Sequence, residues 1–241
     1  MIPIKKNTPP AILLEKQRIA HERGLNSADA YKLLNHAEKQ MVLESLMQEQ
    51  GHLCAYCMRI IPDTRVHFGE IPPVMIEHWF PRKPANHEER GQGLDYSNLF
   101  AVCSGNRASR KEKHRQSDLT CDAKRKDSYA QLTLNPCDPD SLKSIQYKEN
   151  GEMFSNDPAV QDDITVKLNL NCVSAAVQLP ETRKKVLEAL QDELPADDEK
   201  ETVEYCRDVL QMLQHETDPK TEYSGILLWW LRDYINTTQV T

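Results

Sequence analysis

The stretch that decides the fold runs from Cys54 to Lys124. It reads C-A-Y-C at 54–57, I-E-H-W-F-P at 76–81, D-Y-S-N-L at 95–99, a lone cysteine at 103, and T-C-D-A-K at 120–124. Cys54 and Cys57 stand at the spacing that lets two thiolates of one tight turn reach a single tetrahedral zinc. A redox pair has the same spacing, but it wants a strand before it and a helix opening at the first cysteine. Here the pair follows a helical segment and precedes the strand-like Met58–Ile61, which favours the knuckle and leaves thiol-redox chemistry as the third reading. Cys103 and Cys121 complete a four-sulfur set, with the polar segment 104–120 looped out between them. His114, inside that loop, is an alternative ligand to one cysteine, and four buried thiols without metal is the blander reading.

Between the thiols lies an acid–histidine pair. Successive side chains of a strand face opposite sides, so Glu77 and His78 can do two jobs. A carboxylate that holds a divalent cation beside an imidazole that takes a proton from water is what phosphodiester hydrolysis needs. Asn98 is expected to orient the imidazole by accepting its other N–H. Asp122, at an expected helix start, is a second oxygen ligand, and two protein carboxylates plus water and phosphate oxygens suit magnesium or manganese.

The flanks differ in composition. Residues 1–50 carry apolar residues at threes and fours (Leu13, Leu14, Ile19, Leu33, Leu34, Leu43, Leu46), which predicts two helices separated near Gly24, with Ser27 as an N-cap. Residues 51–127 hold the proposed site and are punctuated by prolines. Residues 128–241 read as a mainly helical region, with strands over 129–135 and 145–147 and helices over 183–194, 202–213 and 225–235. Trp229 and Trp230 are adjacent, about 100° apart on a helix. They either pack beneath the region or, with Tyr234, anchor a protein partner. The fold class is α+β, mainly helical, around a central zinc-stapled core.

Bulk properties exclude several classes. Seven cysteines, an odd number, beside an N-terminus without an apolar signal core (M-I-P-I-K-K-N-T-P-P) argue against a disulfide framework and for the cytoplasm. No apolar run reaches the roughly eighteen residues of a membrane span. The net charge of −7 argues against a general basic coat for nucleic acid. One stretch is basic: Arg107, Arg110, Lys111, Lys113, Arg115, Lys124, Arg125 and Lys126 flank the proposed site and are the candidate phosphate contacts.

The quoted series resembles an HNH endonuclease of the zinc-containing ββα-metal type. In that family the first carboxylate holds the catalytic metal, the histidine is the general base, and an asparagine follows. The resemblance gives these roles to Glu77, His78 and Asn98, gives structural zinc to Cys54, Cys57, Cys103 and Cys121, and places Asp122 where the family usually has asparagine or histidine. The T-C-D-A-K variant, N-P-C-D-P-D at 135–140 and L-N-L-N at 168–171 are similar to the PtuB family, the nuclease subunits of Septu-type and retron-associated anti-phage systems. That resemblance implies a PtuA-like ATPase partner, a nucleic-acid substrate (DNA by default, RNA or tRNA in retron-linked members), and a possible link to a retron reverse transcriptase–msDNA complex. A zinc-stapled module that binds nucleic acid or protein and cuts nothing is the alternative.

Overall fold

In the computed structural model, which describes residues 1–62, 73–83, 92–107, 116–125, 131–175, 177–195 and 198–238, the N-terminal periodicity folds as three helices rather than two. These are α1 (Ala11–Glu22), α2 (Ser27–Tyr31) and α3 (His36–Glu49). Capping explains the difference. The Asn26 side chain accepts the Asp29 amide and opens α2, while Asn35 and Glu38 form the reciprocal box that opens α3. Ser27, expected as a cap, is the first residue of the helix and is buried. The inner face of α3 buries Val42, Leu43, Leu46 and Met47.

That face lies against a two-stranded antiparallel sheet. β1 (Val74–His78) pairs with β2 (Leu99–Cys103) so that Val74 opposes Cys103 and His78 opposes Leu99. Every residue of β2 is buried, so its second edge needs partners for its backbone groups. The buried Gln50 amide supplies them: its oxygen accepts the Ala101 N–H, and its nitrogen donates to the Ala101 and Leu53 carbonyls, each at 2.8 Å. Ala55 N–H also reaches Ala101 O, at 3.1 Å. A short helix, α4 (Cys121–Arg125), packs on β2 and completes a strand–strand–helix unit.

The remainder comprises α5 (Pro139–Leu142), the hairpin β3 (Ile145–Tyr147) and β4 (Met153–Ser155), and α6 (Pro158–Asp162), which runs into a π-helical turn at Asp163–Lys167. The longer helices α7 (Leu179–Asp192), α8 (Glu199–His215) and α9 (Ser224–Thr238) follow. Residues 131–135 are not strand, and the Met58–Ile61 segment contributes only the bridge Leu53↔Ile60. α9 packs on α8, α7 and β3. Its two tryptophans are engaged there: Trp230 is buried and stacks on Tyr234 with centroids 5.1 Å apart, and Trp229 tilts against Tyr147 at 6.2 Å. One apolar cluster runs from Ile4 through α3, the knuckle and β2 to Ile235, so all three regions of sequence contribute to it. The architecture is α+β with helix predominant. Among the described residues, no helix is long and apolar enough to cross a membrane.

Candidate metal centre and adjoining pocket

Cys54 to Met58 form a tight knuckle. Met58 N–H bonds to Cys54 O (3.0 Å), Cys54 N–H bonds to Arg59 O (2.9 Å), and Met58 takes a left-handed φ of 61°. Gly105 and Asn106 make a second left-handed turn just after Cys103, with φ of 61° and 63°. The Asn106 amide then clasps the base of the long loop, donating to Asp118 O at 2.9 Å and to Thr120 Oγ1 at 3.2 Å. That clasp brings Cys121, the first residue of α4, back to Cys103.

Cys54, Cys57, Cys103 and Cys121 are all buried, and their sulfurs lie within 4.8 Å of one another. The pairs Cys57–Cys103 and Cys103–Cys121 are 3.8 Å apart and Cys54–Cys121 is 3.9 Å. Tetrahedral zinc with Zn–S bonds of about 2.3 Å separates its sulfurs by about 3.8 Å, so the set fits. The proton balance points the same way. At Cys57 burial opposes ionisation, but hydrogen bonds from Cys103, Cys121 and Cys54 outweigh it and hold the thiol well below its usual value. Cys121, bonded to Cys103, Cys54 and Cys57, is pushed well above. Four thiols so close cannot all ionise unless a cation joins them. The four buried cysteines are compatible with a structural zinc site.

One residue beyond Cys121 the surroundings change. Glu77, His78 and Asp122 line a single pocket of about 190 Å³ with Ile76, Pro81, Arg82 and Arg125. β1 supplies the first two and the opening turn of α4 supplies Asp122. Burial, then the neighbouring Asp122 carboxylate, push the Glu77 acid well above its usual range, against the pull of Arg125. Arg125 Nη1 donates to Glu77 Oε1 at 2.5 Å, and the buried Tyr56 hydroxyl donates to the same oxygen at 3.3 Å. Arg107 Nη2 donates to Asp122 Oδ2 at 3.1 Å. The two carboxylates are neighbours, one of them resists ionisation, and an arginine holds each.

His78 is buried and neutral: burial, then Arg82, lower its pKa to about 3. Its Nε2 lies 3.0 Å from the Gly93 carbonyl. A carbonyl only accepts, so Nε2 carries the proton and Nδ1 keeps the lone pair. Asn98 does not touch the ring as expected. Its Oδ1 accepts Phe80 N–H at 2.6 Å, and its Nδ2 donates to Phe80 O and Gln92 O, both at 3.1 Å. The physical reason is reach: the amide faces the backbone that leaves β1, and it fixes the two loops between which the imidazole sits.

The expected phosphate surface is also revised. Arg125 is buried, and besides Glu77 it donates to His78 O (3.3 Å) and Trp79 O (2.7 Å), so it braces the end of β1. Its place on the inner face of α4 turns it away from solvent. Arg107, half-buried, serves Asp122. Lys124 is half-buried on α4. Arg110, Lys111, Lys113, Arg115, Lys126 and His114 lie outside the described residues.

Several contributors carry no recognisable signal in the sequence. Gly93 N–H donates to Ser27 Oγ at 3.1 Å while its carbonyl holds His78, and a Cβ on it would stand 2.0 Å from Ser27 O. Tyr31 sets its ring edge-on to His78, at 4.6 Å and 84°. No protein-family model matches the chain, and no curated protein matches it.

Proposed function

We propose that the chain is the nuclease subunit of an anti-phage defence complex, hydrolysing phosphodiester bonds by an HNH-type mechanism under control of a PtuA-like ATPase. The observation that carries the reading is the shared pocket: Glu77 and His78 at the end of β1 and Asp122 of α4 converge beside the four-cysteine cluster. In this reading Glu77 and Asp122 hold magnesium or manganese, which when bound neutralises the charge that develops on the phosphate. His78, neutral with its Nδ1 lone pair, takes the proton of the attacking water. Asn98 and Gly93 keep the ring in place, and Arg125 and Tyr56 orient Glu77. The zinc at Cys54, Cys57, Cys103 and Cys121 is structural and fastens α4 to β2. DNA is the first substrate to offer, with RNA and tRNA as the alternatives, and a retron reverse transcriptase–msDNA complex is a further candidate partner.

The test offers plasmid DNA and total RNA to wild type and His78→Ala with magnesium or manganese, with and without the co-purified partner. Cutting that disappears with His78 supports the reading, and its product assigns the substrate. Cutting undiminished by His78→Ala refutes the mechanism. Zinc binding without divalent-dependent cutting of any substrate favours the non-catalytic module.

A further inference from the structure

The cations that sequence assigned to the substrate are partly turned inward, but Arg82 lines the pocket and Lys39 shares the Tyr31 ring with it. Arg82 is exposed and lines the pocket beside His78 and Asp122. Its guanidinium centre lies 4.6 Å from the centroid of the Tyr31 ring, and Lys39 Nζ lies 4.9 Å from the same centroid. Tyr31 closes the group by its edge contact with the His78 ring. The three residues come from α2, α3 and the segment after β1, so no run of sequence announces them.

Acidic residues outnumber Lys and Arg by 37 to 30, and Arg107 and Arg125 each face a carboxylate. Among the described residues, neither Arg82 nor Lys39 forms an ion pair with a carboxylate. The Tyr31 ring offers each cation about 0.5–1 kcal/mol at an exposed site, and it carries no net charge. The ring therefore positions the pair without neutralising it. An anion arriving at the pocket completes the balance.

We infer that Tyr31, Lys39 and Arg82 form a rim that receives the phosphates flanking the scissile bond, and so guides the nucleic-acid backbone past His78. The inference rests on the nuclease reading and adds the path of the substrate to it. Tyr31 is the positioning residue, and Lys39 and Arg82 make the phosphate contacts.

The test measures binding of a fluorescein-labelled single-stranded DNA and of its RNA counterpart to the full chain with His78 intact and no magnesium or manganese added, across a salt titration. Adding Lys39→Gln and Arg82→Gln is expected to weaken binding about ten-fold and to make the slope of log affinity against log salt shallower by roughly 1.5, the share of two phosphate contacts. Lys39→Arg with Arg82→Lys restores the slope, and Tyr31→Leu lowers affinity with both cations still present. Lys184→Gln, a cation on α7, serves as the control. Affinity and slope unchanged in the Gln pair overturn the rim. If wild type still cuts by a His78-dependent route, that outcome overturns the rim alone. A wild type that neither binds nor cuts nucleic acid overturns the rim and the nuclease reading together.

Discussion

Two sites meet at α4, one built with β2 and the other with β1, and adjacent residues of one helical turn serve both. Cys121 belongs to a buried cluster of four sulfurs, whereas Asp122 faces a pocket open to solvent and ringed by charge. The cluster is held by separations that match one metal geometry. The pocket is held by arginines, a tyrosine and a glycine that each brace Glu77, His78 or Asp122. In the proposed reading, stability and chemistry divide at a single peptide bond, and substitutions on either side should separate them.

The largest effect is expected at the cluster. Cys54→Ser removes a ligand from a site type that supplies about 10–16 kcal/mol of apparent binding energy. A net loss of about 5 kcal/mol would lower Tm by roughly 10–20 °C in a chain of this size, and zinc content should fall with it. Scanning calorimetry with metal analysis checks this. An unchanged Tm with no bound metal would remove the distinction between the two sites.

His78→Ala acts on the other side. Loss of a general base is expected to slow cleavage by about 10²–10⁴-fold, while one lost buried hydrogen bond costs only about 1 kcal/mol. Single-turnover cleavage and thermal melting on the same preparation separate the two quantities.

Gly93→Ala sharpens the comparison by reaching His78 indirectly. The new methyl would meet Ser27 O at 2.0 Å, so α2 or the Gly93 carbonyl must move. A strain of about 1–3 kcal/mol and a cleavage loss of about ten-fold are expected, with zinc content intact. Tyr56→Phe should have the smallest effect. It removes the hydroxyl bond to Glu77 and costs about 1 kcal/mol. Tyr56 lies between Cys54 and Cys57 and its hydroxyl bonds to Glu77, so cleavage should weaken a few-fold at unchanged zinc.

How much of this is visible beforehand depends on whether a property is local. Ligand spacing is local, so Cys54-x-x-Cys57 announces a knuckle. The meeting of Cys103 with Cys121 depends on the Asn106 clasp, which the sequence presents only as a polar turn. Charge can be counted along a chain, but its direction cannot. Arg125 appears in a basic run, yet the inner face of α4 turns it onto Glu77. Tyr31, Lys39 and Arg82 belong to no run and meet only in space. Asn98 is legible as a site residue, but the direction of its amide is set by loops at Phe80 and Gln92 that no local pattern specifies. Ser27 was displaced as a cap by Asn26 because the preceding residue already offers the side-chain oxygen.

The most direct test of the account compares wild type, His78→Ala and Cys57→Ser in one experiment that reads zinc content and magnesium-dependent cleavage together. The account predicts full zinc and no cutting for His78→Ala, and loss of both for Cys57→Ser. Cutting by His78→Ala at the wild-type rate, with zinc retained, would contradict it.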